Sequence, residues 1–166
     1  MTTTDPATAS TSLEPRRLYG ILAVAETVTW TLLILGMILK YLVGAGDWPV
    51  RVFGLIHGIV FVAYAFAAIL VGVNQYWKLR QIVGAVATAI VPYATIPFER
   101  RLERRGMLVG AWRLEATDDP RDRTKAGALL RFFLRHPVVL SIGVIVAVFV
   151  VVSVLLYLGP PTQWFN

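Results

Sequence analysis

The sequence predicts an all-α integral membrane protein: a bundle of four transmembrane helices, the third short and Pro-containing, with an interfacial amphipathic helix before the fourth. Three observations predict it. Hydrophobic residues make up 57% of the 166-residue chain, and the mean hydropathy of +0.66 lies above that of a soluble domain. The apolar residues are gathered in long runs, the clearest being Val52 to Val73, VFGLIHGIVFVAYAFAAILVGV. The basic residues are gathered too, ten of the sixteen Lys and Arg lying between Arg100 and Arg135. That is the pattern of a cytoplasmic loop beside anionic lipid. It points to membrane lipids rather than nucleic acid as the partner of a chain with net charge +6.

Composition also excludes chemistry. The chain has no cysteine, which removes disulfides, thiol redox reactions and cysteine metal sites. Its two histidines, His57 and His136, stand far apart and fit no metal-ligand spacing. No nucleophile–base pair or phosphate loop is visible, so the expectation is a chain that is not an enzyme and carries no catalytic residues, cofactor or metal of its own. Bound phospholipid is expected.

In order, residues 1–17 read as a polar tail, Thr-rich and interrupted by Pro6 and Pro15. Leu18 to Val43 reads as the first span. Residues 18–98 as a whole are expected to form a three-helix membrane core. The first span carries Glu26, an acid that costs on the order of 2.5–3.5 kcal/mol on insertion scales and so needs a partner or water. At its end come Lys40 and Tyr41. The first loop, GAGDWPVR, is a short turn in which Trp48 suits the interfacial aromatic belt. Such a turn makes antiparallel neighbours.

The second span, Val52 to Val73, would be ~33 Å long, enough to cross a ~30 Å hydrocarbon core. Gly54, Gly58, Phe61, Ala65, Ala68 and Gly72 recur at steps of four and three, and so share one helix face. Gly54 and Gly58 form a G-x-x-x-G pair that lets a neighbouring backbone approach. His57 is the only ionisable side chain in this run. Measured from helix midpoints near Leu32 and Val62, Glu26 and His57 fall about 15 Å apart in depth, which predicts no direct pair. Lys40, Tyr41 and Ser141 fall nearer His57, and Thr88 and Ser153 nearer Glu26.

Tyr76 and Trp77 are expected as interface anchors. Gln81 to Phe98 is the third apolar segment, near the lower length limit for a span. Pro92 and Pro97 predict a kink or a broken end. Residues 99–137 form the basic loop. Within it, KAGALLRFFLR from Lys125 to Arg135 suits a short helix in the interface, with Arg131 and Arg135 on its polar side. Pro137 suits the first turn of the next helix. Residues 138–158 read as the last span and 159–166 as a tail that Trp164 can anchor.

Charge counting sets the topology. With four spans, twelve Lys and Arg, including the basic loop, face the cytoplasm and four face out. If the third segment re-enters instead, the count becomes fourteen against two, with the N-terminus inside.

The first hundred residues resemble a bacterial family of small three-span membrane proteins, a domain of unknown function. The matching residues are Glu26, Lys40-Tyr41, Gly54-x-x-His57-Gly58, Phe61-x-x-Tyr64, Trp77-Lys78-x-Arg80, Pro92 and Pro97-Phe98. The resemblance implies a three-helix core and no particular chemistry. In size, topology and aromatic tail the whole chain is also similar to accessory subunits of actinobacterial supercomplexes joining cytochrome bc1 and aa3-type oxidase. These likenesses imply a non-catalytic accessory subunit in the bacterial cytoplasmic membrane that helps association and lipid packing. The competing expectation is a small transporter or proton-conducting protein using Glu26 and His57.

Overall fold

The computed structural model describes residues 14–158. Its helices are α1 (Pro15–Tyr41), α2 (Trp48–Asn74), α3 (Leu79–Thr88), α4 (Thr95–Arg104), α5 (Lys125–Arg135) and α6 (Pro137–Leu158), with a 3-10 turn at Pro120–Arg123. The described residues contain no strand. Three helices, α1, α2 and α6, are long and apolar enough to cross a membrane. Residues 1–13 and 159–166, with Trp164 and most of both expected tails, lie outside the described residues.

Prolines fix the helix starts. Pro15, Pro49 and Pro137 each sit in a first turn, where a missing N–H breaks no helical bond. Between α1 and α2 the chain turns through Gly44 and Gly46 at φ 75° and 78°, conformations that glycine adopts without strain. Lys40 closes this turn through Asp47, Nζ to Oδ1 at 2.9 Å. Lys40 therefore belongs to the loop end of α1, not to the helix interior beside His57. Its charge and hydrogen bond hold the Asp47 carboxyl below its ordinary range.

The third segment corrects the expectation of a four-helix bundle. Gln81 to Phe98 is not one helix but the heart of a hairpin. Helices α3 and α4 have ten residues each, about 15 Å, or half a hydrocarbon core. Between them Pro92 removes a helical donor and turns Val91 away from helix, and Tyr93 takes φ 65°.

Both legs of the hairpin lie at one end of the α1–α2 pair. Trp77, just before α3, donates to Met107 O just beyond α4 at 2.9 Å. Arg16 at the start of α1 meets Glu103 near the end of α4 at 2.5 Å. The tip rests halfway along α1. There Trp30 Nε1 donates to Ala89 O at 3.0 Å, and Thr95 donates to Ala23 O at 3.0 Å. The first bond satisfies a carbonyl just past the end of α3 that lipid could not. The segment thus folds back on itself, and the core over 18–98 is two long helices plus a hairpin whose legs are less than half their length.

The packed core sits where α1, α2 and the hairpin meet. Tyr19 and Tyr64 are fully buried and share a 2.6 Å hydroxyl bond. Tyr64 also reaches Thr88 at 3.2 Å. Trp77 packs edge-on against Tyr19, with ring centroids 5.8 Å apart. It is a core residue rather than an interface anchor, whereas Trp48 is well exposed.

The small-residue face of α2 is divided. Ala68 is fully buried, and a Cβ on Gly72 would stand 2.6 Å from Ile82 Cγ1. A Cβ on Gly54 would lie 3.7 Å from Leu33 Cδ1, and one on Gly58 would meet nothing within 4 Å. Phe61 and Ala65 are half-buried. The tight α1–α2 approach falls instead at Gly36, whose Cβ would lie 3.0 Å from Phe53 and 3.1 Å from Pro49 O.

Helix α6 leans on α2 and α5. Apart from Ser141 and Ser153 its residues are apolar or glycine, and none of its 18-residue apolar window is fully buried.

Candidate functional site

The buried ionisable pair lies between α1 and α2. Glu26 is fully enclosed, and neither carboxylate oxygen has a hydrogen-bond partner among the described residues. His57 Nδ1 stands 3.9 Å from Glu26 Oε2 and 3.1 Å from Thr29 Oγ1. Thr29 donates its one hydroxyl proton to Glu26 O at 3.0 Å. Its oxygen is then left to accept from Nδ1–H, which puts the neutral ring's proton on Nδ1. Trp30 covers the imidazole at a centroid distance of 4.5 Å, and Phe61 lies on another side at 6.3 Å.

This proximity overturns the depth estimate that separated Glu26 from His57. The real helices begin at Pro15 and Trp48, before the apolar runs whose midpoints set that estimate. Contacts between Gly36 and Pro49 and between Leu33 and Gly54 set the register instead, and it makes His57 level with Trp30. Glu26 is then one turn away, about 6 Å along the axis, a gap that two long side chains close. The expected neighbours do not gather there: Thr88 bonds Tyr64 and Ala85, and Ser141 and Ser153 are exposed on α6.

Chemically the pair can take up and release a proton. A lone ionised carboxylate in that enclosure is costly, and replacing a buried polar pair by apolar groups is often neutral. If Glu26 serves only packing, Glu26→Gln and Glu26→Leu will unfold within about 1 kcal/mol of the natural protein. Detergent unfolding curves check this, and a loss of several times that size would show that the carboxyl is needed for the fold.

A second polar cluster fastens the segment after α4 to the end of α2. Arg113 Nε donates to Asn74 O at 2.6 Å, and Arg113 N donates to Asn74 Oδ1 at 2.9 Å. The Arg113 guanidinium pairs with the enclosed Asp122 and stacks on Tyr76 at 3.7 Å. Arg121 lies 4.0 Å from the centroid of the same ring. Arg131, expected at the lipid interface, joins this cluster, and Arg135 bonds the backbone beside it while staying exposed. Arg131 donates to Asp122 O at 2.9 Å, and Arg135 to Leu114 O at 3.0 Å.

Hydrogen bonds from the Thr117 hydroxyl and amide, at 2.6 and 2.8 Å, hold the Asp122 carboxyl well below its ordinary value of 3.8. The Arg113 charge acts in the same direction. A lowered folded value means that the group's contribution is complete above the unfolded value and is lost as pH falls through the folded one. Hydrogen-exchange protection of the Thr117 amide will therefore hold at pH values above 3.8 and fade below. Asp122→Asn will cost on the order of ten-fold of that protection at neutral pH.

Sequence reasoning marked Glu26 and His57 and missed Thr29, Trp30, Gly36, Asn74, Arg113 and Asp122. Only Gly36 carried a usable signal, as a small residue in an apolar run. The others depend on which elements meet. Among the described residues no group of three or more His, Cys, Asp or Glu is placed to hold a metal ion.

The model of the family described as a domain of unknown function, DUF3817, matches residues 16–104. The match takes in α1, α2 and the hairpin and stops where α4 ends. A Streptomyces coelicolor protein, named on the assumption that it is a membrane protein, is 37% identical over 93 residues. That alignment covers 55% of this chain and 11% of the relative, so the chain spans about a tenth of the relative's length. No solved structure matches.

Proposed function

The chain belongs to the DUF3817 family, and from that premise we propose that it is a non-catalytic accessory subunit of a larger membrane assembly. One observation carries the reading. In the Streptomyces relative the matching 93 residues are about a tenth of a much longer polypeptide. A module built into a large chain in one case works beside large chains in another. Helix α6, strongly apolar and with no fully buried residue in its apolar window, gives this protein a surface for that contact that lies outside the family match.

The proposed setting is the bacterial cytoplasmic membrane. With α1, α2 and α6 as spans, fourteen Lys and Arg lie on the side of the N-terminus and residues 75–136, against two on the other. Positive-inside then places the basic segment in the cytoplasm. The narrower assignment to a bc1–aa3 supercomplex finds no support in the family match or the relative. The hairpin also departs from the four-span topology on which that likeness rested.

Purification from native membranes in mild detergent tests the proposal. A fixed ratio to a larger membrane polypeptide is expected, and a visible haem spectrum would decide for or against a respiratory partner. A lone chain that conducts would contradict it.

The distance of 3.9 Å between Glu26 and His57 favours one second reading, a proton-conducting protein. On that reading Glu26→Gln and His57→Ala abolish proton flux into liposomes. Flux that survives both variants ends it.

A further inference from the structure

Two apolar cavities flank one ridge of α2. The larger, about 810 Å³, lies between α2 and α3, walled by Ile82, Val83, Val86 and Ile90. The smaller, about 390 Å³, lies between α2, α5 and α6, walled by Phe66, Leu70, Leu130 and Phe133. Ile69 and Val73 of α2 border both cavities, as does Ala126 in the first turn of α5. The two spaces therefore converge beneath the start of α5.

The point of convergence is cationic. Arg113 and Arg121 close the upper end of the larger cavity together with Tyr76 and Thr124. Arg121 spends Nε and one terminal nitrogen on Asp119, and its other terminal nitrogen has no partner among the described residues. Arg123 and Lys125 are exposed beside it and form no ion pair among the described residues. Below this end the walls are apolar as far as Ile90. The α3 wall, Leu79 to Thr88, is about 14 Å of helical rise, close to half of a hydrocarbon core.

We infer that this is the binding site of one diacyl anionic phospholipid from the leaflet on the basic side. The phosphate sits between Arg121 and Lys125, and one acyl chain descends on each side of the Ile69–Val73 ridge. A single anionic head with two chains matches one cationic mouth that opens into two apolar spaces. A packed helix from another protein would need one continuous face. The inference rests on the membrane placement proposed above and not on the accessory-subunit reading, so a chain that purifies alone tests it equally well.

Native mass spectrometry of the full chain in mild detergent, with equimolar phosphatidylglycerol and phosphatidylcholine, is the test. The natural protein is expected to retain one phosphatidylglycerol with roughly thirty-fold preference, from two basic side chains at the membrane surface. Arg121→Gln with Lys125→Gln is expected to bring the two lipids level. Val83→Trp and Ala87→Trp, both at exposed positions on α3, are expected to displace both lipids while unfolding transitions stay in place. Equal retention of the two lipids by the natural protein overturns the inference. So does undiminished phosphatidylglycerol in both tryptophan variants, or a lipid-free dimer with a second copy on this face.

Discussion

Trp77→Ala will destabilise the protein by about 3–5 kcal/mol, the usual cost of emptying a buried tryptophan site. Trp77 is the point where three parts of the chain are pinned together. Its ring stands over Gly72 of α2, 3.1 Å from where a Cβ there would lie. It meets Tyr19 of α1 edge-on, and its N–H holds Met107 O beyond α4. Losing it leaves a cavity and an unpaired carbonyl at the mouth of the hairpin. Trp48→Ala, at a position 59% exposed, will stay within about 0.5 kcal/mol. Unfolding midpoints of the two variants in the same detergent check the contrast. Equal losses would mean that Trp77 is an interface anchor after all.

The second large effect is at Gly36. Gly36→Leu will separate α1 from α2, because the first added carbon already meets Phe53 and the backbone of Pro49. The backbone cannot step aside as a flexible side chain can, so even Gly36→Ala will cost about 1–3 kcal/mol. Gly58→Ala meets open space and gains up to about 1 kcal/mol of helix propensity. It will unfold at or slightly above the natural midpoint. If Gly58→Ala is the damaging change and Gly36→Ala is silent, the G-x-x-x-G pair is the helix crossing and α1 meets α2 in a different register.

These contrasts mark how far the sequence could be read. The long helices were legible because an apolar run needs no tertiary information: α6 runs from Pro137 to Leu158 and α5 from Lys125 to Arg135, as their residues predict. The hairpin was half legible. Pro92 and Pro97 announced a break, but only the contacts of Trp30 and Thr95 with the chain across from them say that it returns. Register was not legible. It is set by a turn at Gly44 and Gly46 and a close approach at Gly36, and without it the depths of Glu26 and His57 could not be compared. The partners of the basic segment were not legible either: Arg131 meets Asp122 and Arg135 meets Leu114 O, neighbours that only the folded segment brings near.

The central claim is that the family module is two spanning helices closed by a hairpin that enters and leaves on one side. The chain has no cysteine, so a single introduced thiol reports its own position without background. Val43→Cys, Arg80→Cys and Arg104→Cys all fall at exposed positions. In intact cells, with a thiol reagent that cannot cross the membrane, Val43→Cys will label, while Arg80→Cys and Arg104→Cys will label only after the membrane is opened. Labelling of Arg80→Cys and Arg104→Cys from opposite sides would mean that the third segment spans. It would contradict the hairpin and the topology built on it.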